Sequence, residues 1–368
     1  MRTLATVQKI IDLKPIPEAD KIECAYVLGW TVVVKKDEFK IGESIVYIEV
    51  DSIVPRDNPI FDFLAPRKYR VRTIKLKKQL SQGIIFKLSD FNLDDKLAEG
   101  TDLTEKLKIV KYDPEALKEA QDTQSNKKLN PVHKYLLRFS LYRKLQPKRK
   151  KGWPEWLSKT DEERIQNYPY LLRDNQETDI YVTEKLDGQS ASYFYKKEQS
   201  FLFLKKFIFG VCSRNIWLKT KIQNNYWRVA IQFDLQNKLK IYNYEMAIQG
   251  EIVGEGIQKN KYNIKGLDFY VFNIYDIKNK IWYGYDTIEI IATYLGLKVV
   301  PLIYIGKMKD YAKDIPEIVQ KSNDKSALYN IKREGIVVRQ KNNNKAQREL
   351  SFKVISPEFL LKNEKGDD

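Results

Sequence analysis

A lysine closing an apolar strand, followed at once by an acid and a glycine, is the first place in this chain where chemistry can be read: Tyr181-Val-Thr-Glu-Lys185-Leu-Asp187-Gly188. An amine attacks only when unprotonated, which near neutral pH takes burial or a nearby positive charge such as a metal ion. The glycine lets the backbone come close to a ligand. By itself such a tetrad, in a lysine-rich chain, reads equally as a surface turn after a strand. Its weight comes from five later blocks of the chain: Cys212-Ser-Arg214-Asn215, Gly250-Glu251-Ile-Val-Gly254, Phe269-Tyr-Val-Phe272-Asn273-Ile-Tyr-Asp276, Glu334-Gly-Ile-Val-Val-Arg339 and Leu350-Ser-Phe-Lys353-Val354. Splitting the α–β anhydride of a nucleoside triphosphate needs a nucleophile, cations for the phosphates, carboxylates for a divalent metal or ribose hydroxyls, and an aromatic face for the base. Lys185, Arg214 with Lys353, Glu251 with Glu334, and Phe272 supply these in turn.

These residues need a scaffold, and the pattern around them supplies two. From Thr3 to about Leu107 the chain reads as short strands, Ile22–Leu28, Trp30–Val34, Ser44–Val50, Tyr69–Ile74 and Gly83–Phe86, separated by Gly, Pro and Asp/Asn clusters. That spacing predicts a small β-barrel of the OB type, whose open face suits oligonucleotides and here carries Arg70, Arg72, Lys75, Lys77 and Lys78. A barrel that merely packs against its neighbour is the plainer reading. From Trp153 onward, strands rich in Tyr, Phe and Ile alternate with helical stretches, Asp286–Leu297 with Asp286 as N-cap and Asp314–Ser322, which predicts an α+β domain. Between them, Lys127–Lys151 holds ten Lys/Arg and no acid. Tyr135, Leu136, Phe139, Tyr142 and Leu145 recur there at helical spacing, so a partly helical basic connector is expected. A solvated linker or localisation signal has the same composition. The boundaries read as 1–110 for the barrel, 111–152 for the connector and 153–368 for the α+β domain.

Composition narrows the classes. The 368 residues are 43% hydrophobic and 31% charged, enough chain for two domains and unlike a disordered tail. A formal net charge of +16 points to a polyanionic partner. Only Cys24 and Cys212 occur, far apart, so a disulfide framework and a structural zinc are excluded. His133 is the sole histidine, which removes most support for Ser-His-Asp or histidine–metal chemistry. The start lacks a signal-peptide core, and apolar runs such as Phe201–Cys212 are broken by Lys205-Lys206. No membrane association, and an intracellular, cytoplasmic or nuclear location, are the expectations.

In this order the lysine tetrad and the five later blocks resemble the signature motifs of the covalent nucleotidyltransferases, the polynucleotide ligases and RNA capping enzymes. Within them the chain resembles the ATP-dependent RNA ligases of the clade with an N-terminal OB domain, the Deinococcus and Naegleria type. Lys159-Thr-Asp-Glu-Glu-Arg164-Ile-Gln-Asn167 and Ser351-Phe-Lys-Val-Ile-Ser-Pro-Glu-Phe-Leu-Leu-Lys362 carry that part of the likeness. The resemblance implies an ATP-grasp-like adenylylation domain in which Lys185 forms a lysine–AMP phosphoramidate. It implies nucleotide contacts from Arg164, Thr183, Glu184, Arg214, Glu251, Phe272, Glu334 and Lys353, with Arg164 on the departing pyrophosphate and Phe272 on adenine. Asp187, Glu251 and Glu334 would hold a metal through water, and an oxygen-only set asks for Mg²⁺ or Mn²⁺. Where relatives carry a second lysine near Lys353 this chain has Ser351 and Ile355, which leaves that contact to Lys362, Arg348 or Lys332. Asn273 replaces a common aspartate and receives no role.

DNA ligases and capping guanylyltransferases place their OB domain after the last block, and only fifteen residues follow Lys353. The expected activity is therefore sealing of 3′-hydroxyl and 5′-phosphate ends in RNA or an RNA-containing duplex, nicks above all, by a monomer using ATP. A non-catalytic OB-containing RNA binder is the alternative from another class, and it predicts decay at Lys185, Glu251, Glu334 or Lys353; all four are present.

Overall fold

The computed structural model describes residues 3–113, 152–157, 159, 161–199, 205–218, 224–342 and 350–364. The basic run 127–151, the amphipathic segment read within it, His133 and Arg348 lie outside the described residues.

The N-terminal unit is built from strands, with more of them than the sequence suggests: β1 (Ala5–Lys9), β2 (Asp12–Ile16), β3 (Ala19–Val27), β4 (Trp30–Lys35), β5 (Ser44–Ile48), β6 (Ser52–Ile53), β7 (Thr73–Leu76), β8 (Gln79–Gln82), β9 (Ile84–Lys87) and β10 (Val110–Lys111). Its centre is β5, paired antiparallel with β1 and β9. The run Ile45-Val-Tyr-Ile48 is buried on both faces, so alternate residues feed two cores. Val46 and Ile48 meet Val7, Phe61 and Leu88 on one side. Ile45 and Tyr47 meet Trp30, Val32 and Ile85 on the other. The strand read over Tyr69–Ile74 is corrected to one starting at Thr73. A 3₁₀ segment, Pro59–Arg67, ends in left-handed Lys68 and Tyr69, and Arg70 makes only an isolated bridge to Ile53. From that turn the Arg70 side chain reaches Asp51.

The second unit is two sheets facing each other, antiparallel but for one short parallel pairing. The smaller has the order β18 (Leu302–Lys307), β11 (Asp179–Lys185), β19 (Gly335–Gln340), β20 (Ser351–Ile355). The larger runs β13 (Lys205–Cys212), β12 (Gln189–Gln199), β14 (Met246–Gly254), β15 (Leu267–Asp276), β16 (Ile281–Trp282), with β17 (Lys298–Val299) beside β15. Period-two alternation sorts the small sheet. Ile180, Val182, Ile336, Val338, Phe352 and Val354 pack outward under helix Ile315–Ser322, which leaves Thr183, Lys185, Val337, Arg339 and Lys353 for the cleft. Helices Asn225–Gln232, Leu235–Tyr242 and Tyr285–Tyr294 cover the outer face of the large sheet. Asp314 caps its helix as expected, its carboxylate accepting from Glu317 N–H. Asp286 does not: Gly284 is the N-cap, Asp286 sits in the first turn, and left-handed Gly296 stops the helix short of Leu297.

One short segment joins the two units. Gln166 O accepts from Gly29 N–H at 2.8 Å, and Asn167 accepts from Trp30 Nε1–H at 2.7 Å while donating to Glu49 at 2.6 Å. At the other end of the chain, helix Pro357–Glu364 lies against β7. Trp30→Phe keeps most of the buried ring and removes the donor, so the N-terminal unit should lose about 1–3 kcal/mol. Urea unfolding followed by hydrogen exchange in residues 3–113 measures this, and exchange unaltered there would show that the joint carries no stability.

Candidate active site

The two sheets and the barrel enclose a cavity of about 720 Å³. Lys185 reaches it because strand alternation turns that face inward and β11 ends there. Its Nζ donates to both oxygens of Glu334, at 2.8 and 2.7 Å. Glu334 stands immediately before β19, and Gly335 pairs with Lys185, so the register itself sets the contact. Burial works against the Lys185 ammonium, but the carboxylates of Glu334, Glu251 and Asp187 outweigh it and hold the pKa above the usual lysine value. Burial also pushes the Glu334 carboxyl upward, with the Lys185 ammonium opposing. Of the two directions, the lysine's is the one that the two-oxygen contact fixes.

The other acids are held just as specifically. Asp187 pairs with Lys261 and its N–H donates to Tyr262 Oη at 2.8 Å. Glu251, on β14, accepts from Gly188 N–H at 3.1 Å and from Ser190 Oγ at 2.9 Å. A Cβ at position 188 would lie 2.2 Å from Ile252 O, so only glycine allows this approach of turn and strand. Glu184 accepts from Ala327 N–H at 2.8 Å. Its burial raises its pKa against the hydrogen bonds from Ser326 and Ala327.

Across the cavity lie the cations. Asp161 gathers three of them: Lys353 at 2.8 Å, Arg214 at 3.2 Å, and Lys111. Desolvation in the cleft raises the Asp161 carboxyl, yet those three cations together hold it far below the ordinary range. Asp51, from the barrel, gathers two more, Arg164 at 2.6 Å and Arg70 at 2.7 Å. Arg70 also stacks on Tyr112 at 3.8 Å. Phe272 on β15 and Val300 line an apolar part of the wall, with the Arg339 guanidinium 6.0 Å from the Phe272 ring. Among the described residues, buried Thr183 Oγ1 and Arg339 Nη1 have no hydrogen-bond partner.

The ten residues to which the sequence resemblance gives nucleotide or metal contacts, Arg164, Thr183, Glu184, Lys185, Asp187, Arg214, Glu251, Phe272, Glu334 and Lys353, line this one cavity, whereas Arg72, Lys75, Lys77 and Lys78 of the basic barrel face do not. Lys332 and Lys362, offered for a second phosphate contact, do not; Lys332 pairs with Glu358 at 3.0 Å. Asn273 points elsewhere, donating to Gln249 at 3.3 Å. Sequence reasoning misses Asp51, Lys111, Asp161 and Lys261. Asp161 stands in a stretch that carries the likeness to RNA ligases, and Arg70 reads in sequence only as part of a basic barrel face.

A lysine presented from a strand end into a two-sheet cleft, with an OB-type barrel at its rim, defines the nucleotidyltransferase-type ligases. Residues 4–88 match the model of an OB-fold domain and residues 178–355 that of RNA ligase. Solved structures of the Naegleria gruberi RNA ligase are similar over their whole length at 31% identity. The form with pyrophosphate has a TM-score of 0.80, covering 99% of this chain and 100% of that one. A lysine-to-alanine mutant with ATP and Mn has 0.79, covering 98% of both chains. An arginine-to-alanine mutant with ATP and Mn has 0.79, covering 98% of this chain and 99% of that one. No curated protein sequence matches significantly. The chain belongs to the RNA ligase family.

Because Glu334 is the foremost influence holding Lys185 charged, Glu334→Gln should lower the pH at which Lys185 becomes reactive. Mass-spectrometric pH profiles of Lys185 acylation by an amine-directed reagent test this, and superimposable profiles would refute it.

Proposed function

We propose that the protein is an ATP-dependent RNA ligase that joins a 3′-hydroxyl to a 5′-phosphate through a lysine–AMP intermediate, with nicks in RNA-containing duplexes as the natural substrate. The observation that carries this reading is Lys185, gripped by Glu334 in a cavity whose other wall is lined with cations. The chemistry has three steps. Lys185 attacks the α-phosphorus of ATP and releases pyrophosphate, AMP passes to the RNA 5′-phosphate, and a 3′-hydroxyl attacks the activated end to release AMP. Most of the rate comes from alignment and from charge fixed in advance.

Each group in the cavity has a task in that sequence. Arg214 and Lys353 draw the α-phosphate and ribose, Arg164 the pyrophosphate, and Phe272 stacks on adenine. Thr183 and Glu184 add polar contacts to the nucleotide. Asp187, Glu251 and Glu334 would hold hydrated Mg²⁺ or Mn²⁺ through water. Their donors are all oxygen, and among the described residues no three acids, His or Cys are close enough to chelate an ion directly. When bound, such an ion would lower the pKa of Lys185 and offset charge on the α-phosphate. Glu334 meanwhile keeps the amine aimed into the cleft. In the Naegleria mutants the substituted arginine precedes the substituted lysine by twenty-one positions, and Arg164 precedes Lys185 by the same interval.

The barrel over 1–110, the connector over 111–152 and the catalytic domain over 153–368 divide the work, the first two gripping strands and the last doing chemistry. The strand β10 carries the barrel one residue past that first boundary. Among the described residues no helix is long and apolar enough to cross a membrane. Action as a monomer in the cytoplasm or nucleus completes the reading.

Intact-mass measurement after incubation with Mg²⁺ or Mn²⁺ and ATP, with GTP and NAD⁺ in parallel, tests the first step. An AMP adduct from ATP alone, absent in Lys185→Ala, is expected. A GMP adduct would indicate capping chemistry, and label on the Lys185→Ala protein would overturn the assignment of the nucleophile. For the substrate, otherwise identical nicks ending in 3′-ribose or 3′-deoxyribose should be sealed unequally in favour of ribose; equal rates would count against an RNA 3′ end.

A further inference from the structure

Two cations in the cavity belong to the N-terminal domain. Arg70 shares Asp51 with Arg164, and Lys111 shares Asp161 with Arg214 and Lys353. The two clusters are fused, because Asp161 and Arg164 lie three positions apart and Arg164 is bridged to Lys353 through the backbone. The nucleophile is held instead by Glu334, so amine and clustered cations have separate counterions.

Resting on the lysine–AMP reading, we infer that Arg70 and Lys111 complete one phosphate subsite that serves twice, for the pyrophosphate of ATP and then for the 5′-phosphate of the RNA. In-line displacement at phosphorus puts the entering and leaving atoms on opposite sides. In the first transfer the Lys185 P–N bond forms, the P–O bond to pyrophosphate breaks, and the amine gives up a proton. In the second, an oxygen of the RNA 5′-phosphate bonds to the same phosphorus, the P–N bond breaks, and the amine regains a proton from solvent. The lysine enters in one step and leaves in the next. With the α-phosphate kept in its seat by Arg214 and Lys353, the RNA phosphate must come in from the side on which pyrophosphate departed. The barrel cations, Arg70 and Lys111, carry no base-reading geometry, only positive charge and a guanidinium fork, which suits two different phosphates equally.

The subsite also ties ligand exchange to reaction order. Pyrophosphate has to leave before the RNA end can be seated, so a pyrophosphate-filled site cannot hold the strand in attacking position.

The test measures each half-reaction alone. Arg70→Gln and Lys111→Gln should each slow AMP uptake from ATP by about ten- to a hundredfold, the worth of a charge-assisted phosphate contact. Each should also slow AMP transfer from isolated enzyme–AMP to 5′-phosphorylated RNA to a similar degree. On unmodified enzyme–AMP, pyrophosphate-driven return to ATP should be inhibited competitively by 5′-phosphorylated RNA and not by the same RNA with a 5′-hydroxyl. Normal transfer rates in both variants, or failure of the phosphorylated RNA to compete with pyrophosphate, would overturn the shared subsite while leaving the lysine–AMP reading intact. Absence of any adduct in the unmodified protein would remove both.

Discussion

A cavity that must receive a polyanion and a divalent cation has to carry fixed charge of both signs, and until those ligands arrive the charges must satisfy one another. Everything else about this protein is arranged around that requirement. Lys185 pairs with Glu334, Lys261 with Asp187, and five further cations divide between Asp51 and Asp161. Burying any of these ions alone would cost several kcal/mol, so each pair exists because its partner does. The pairing also sets reactivity, since the carboxylate that aims the lysine keeps it protonated.

The backbone provides this arrangement cheaply. Three neighbouring strands, β11, β19 and β20, place Thr183, Val337 and Lys353 in a row, with Lys185 opposite Gly335. Because period-two alternation gives their other faces a continuous apolar core, the charged faces inherit a rigid floor. The barrel adds Asp51, Arg70 and Lys111, and the clasp from Gly29, Trp30 and Glu49 to Gln166 and Asn167 fixes where they stand.

What was legible in the sequence owed its legibility to locality. Lys185, Glu251, Phe272, Glu334 and Lys353 sit in short blocks whose residue types announce their chemistry, and each block is a single strand or strand end, so its members face the cleft as soon as the strand forms. Asp314 is legible as a cap for the same reason. Arg70 and Lys111 carry no such signal, because their place in the cavity depends on docking between units separated by many residues. Asp161 is hidden differently: an acid with three cationic partners looks in sequence like one more surface charge. The segment Tyr69–Ile74 has the right β-forming composition for a strand, and the left-handed pair Lys68 and Tyr69 overrides it. Asp286 loses its capping role to Gly284 by the placement of one turn.

The clasp segment has a consequence for how this molecule can change over time. Arg164 is anchored by its backbone to the small sheet and by its side chain to the barrel, whereas Lys185 and Glu334 stand on the small sheet alone. The cations held by Asp51 and the contact that aims the amine thus stand on different parts of the chain. A change in the barrel can therefore shift those cations while the contact between Lys185 and Glu334 stays as it was, so the two can vary separately over time.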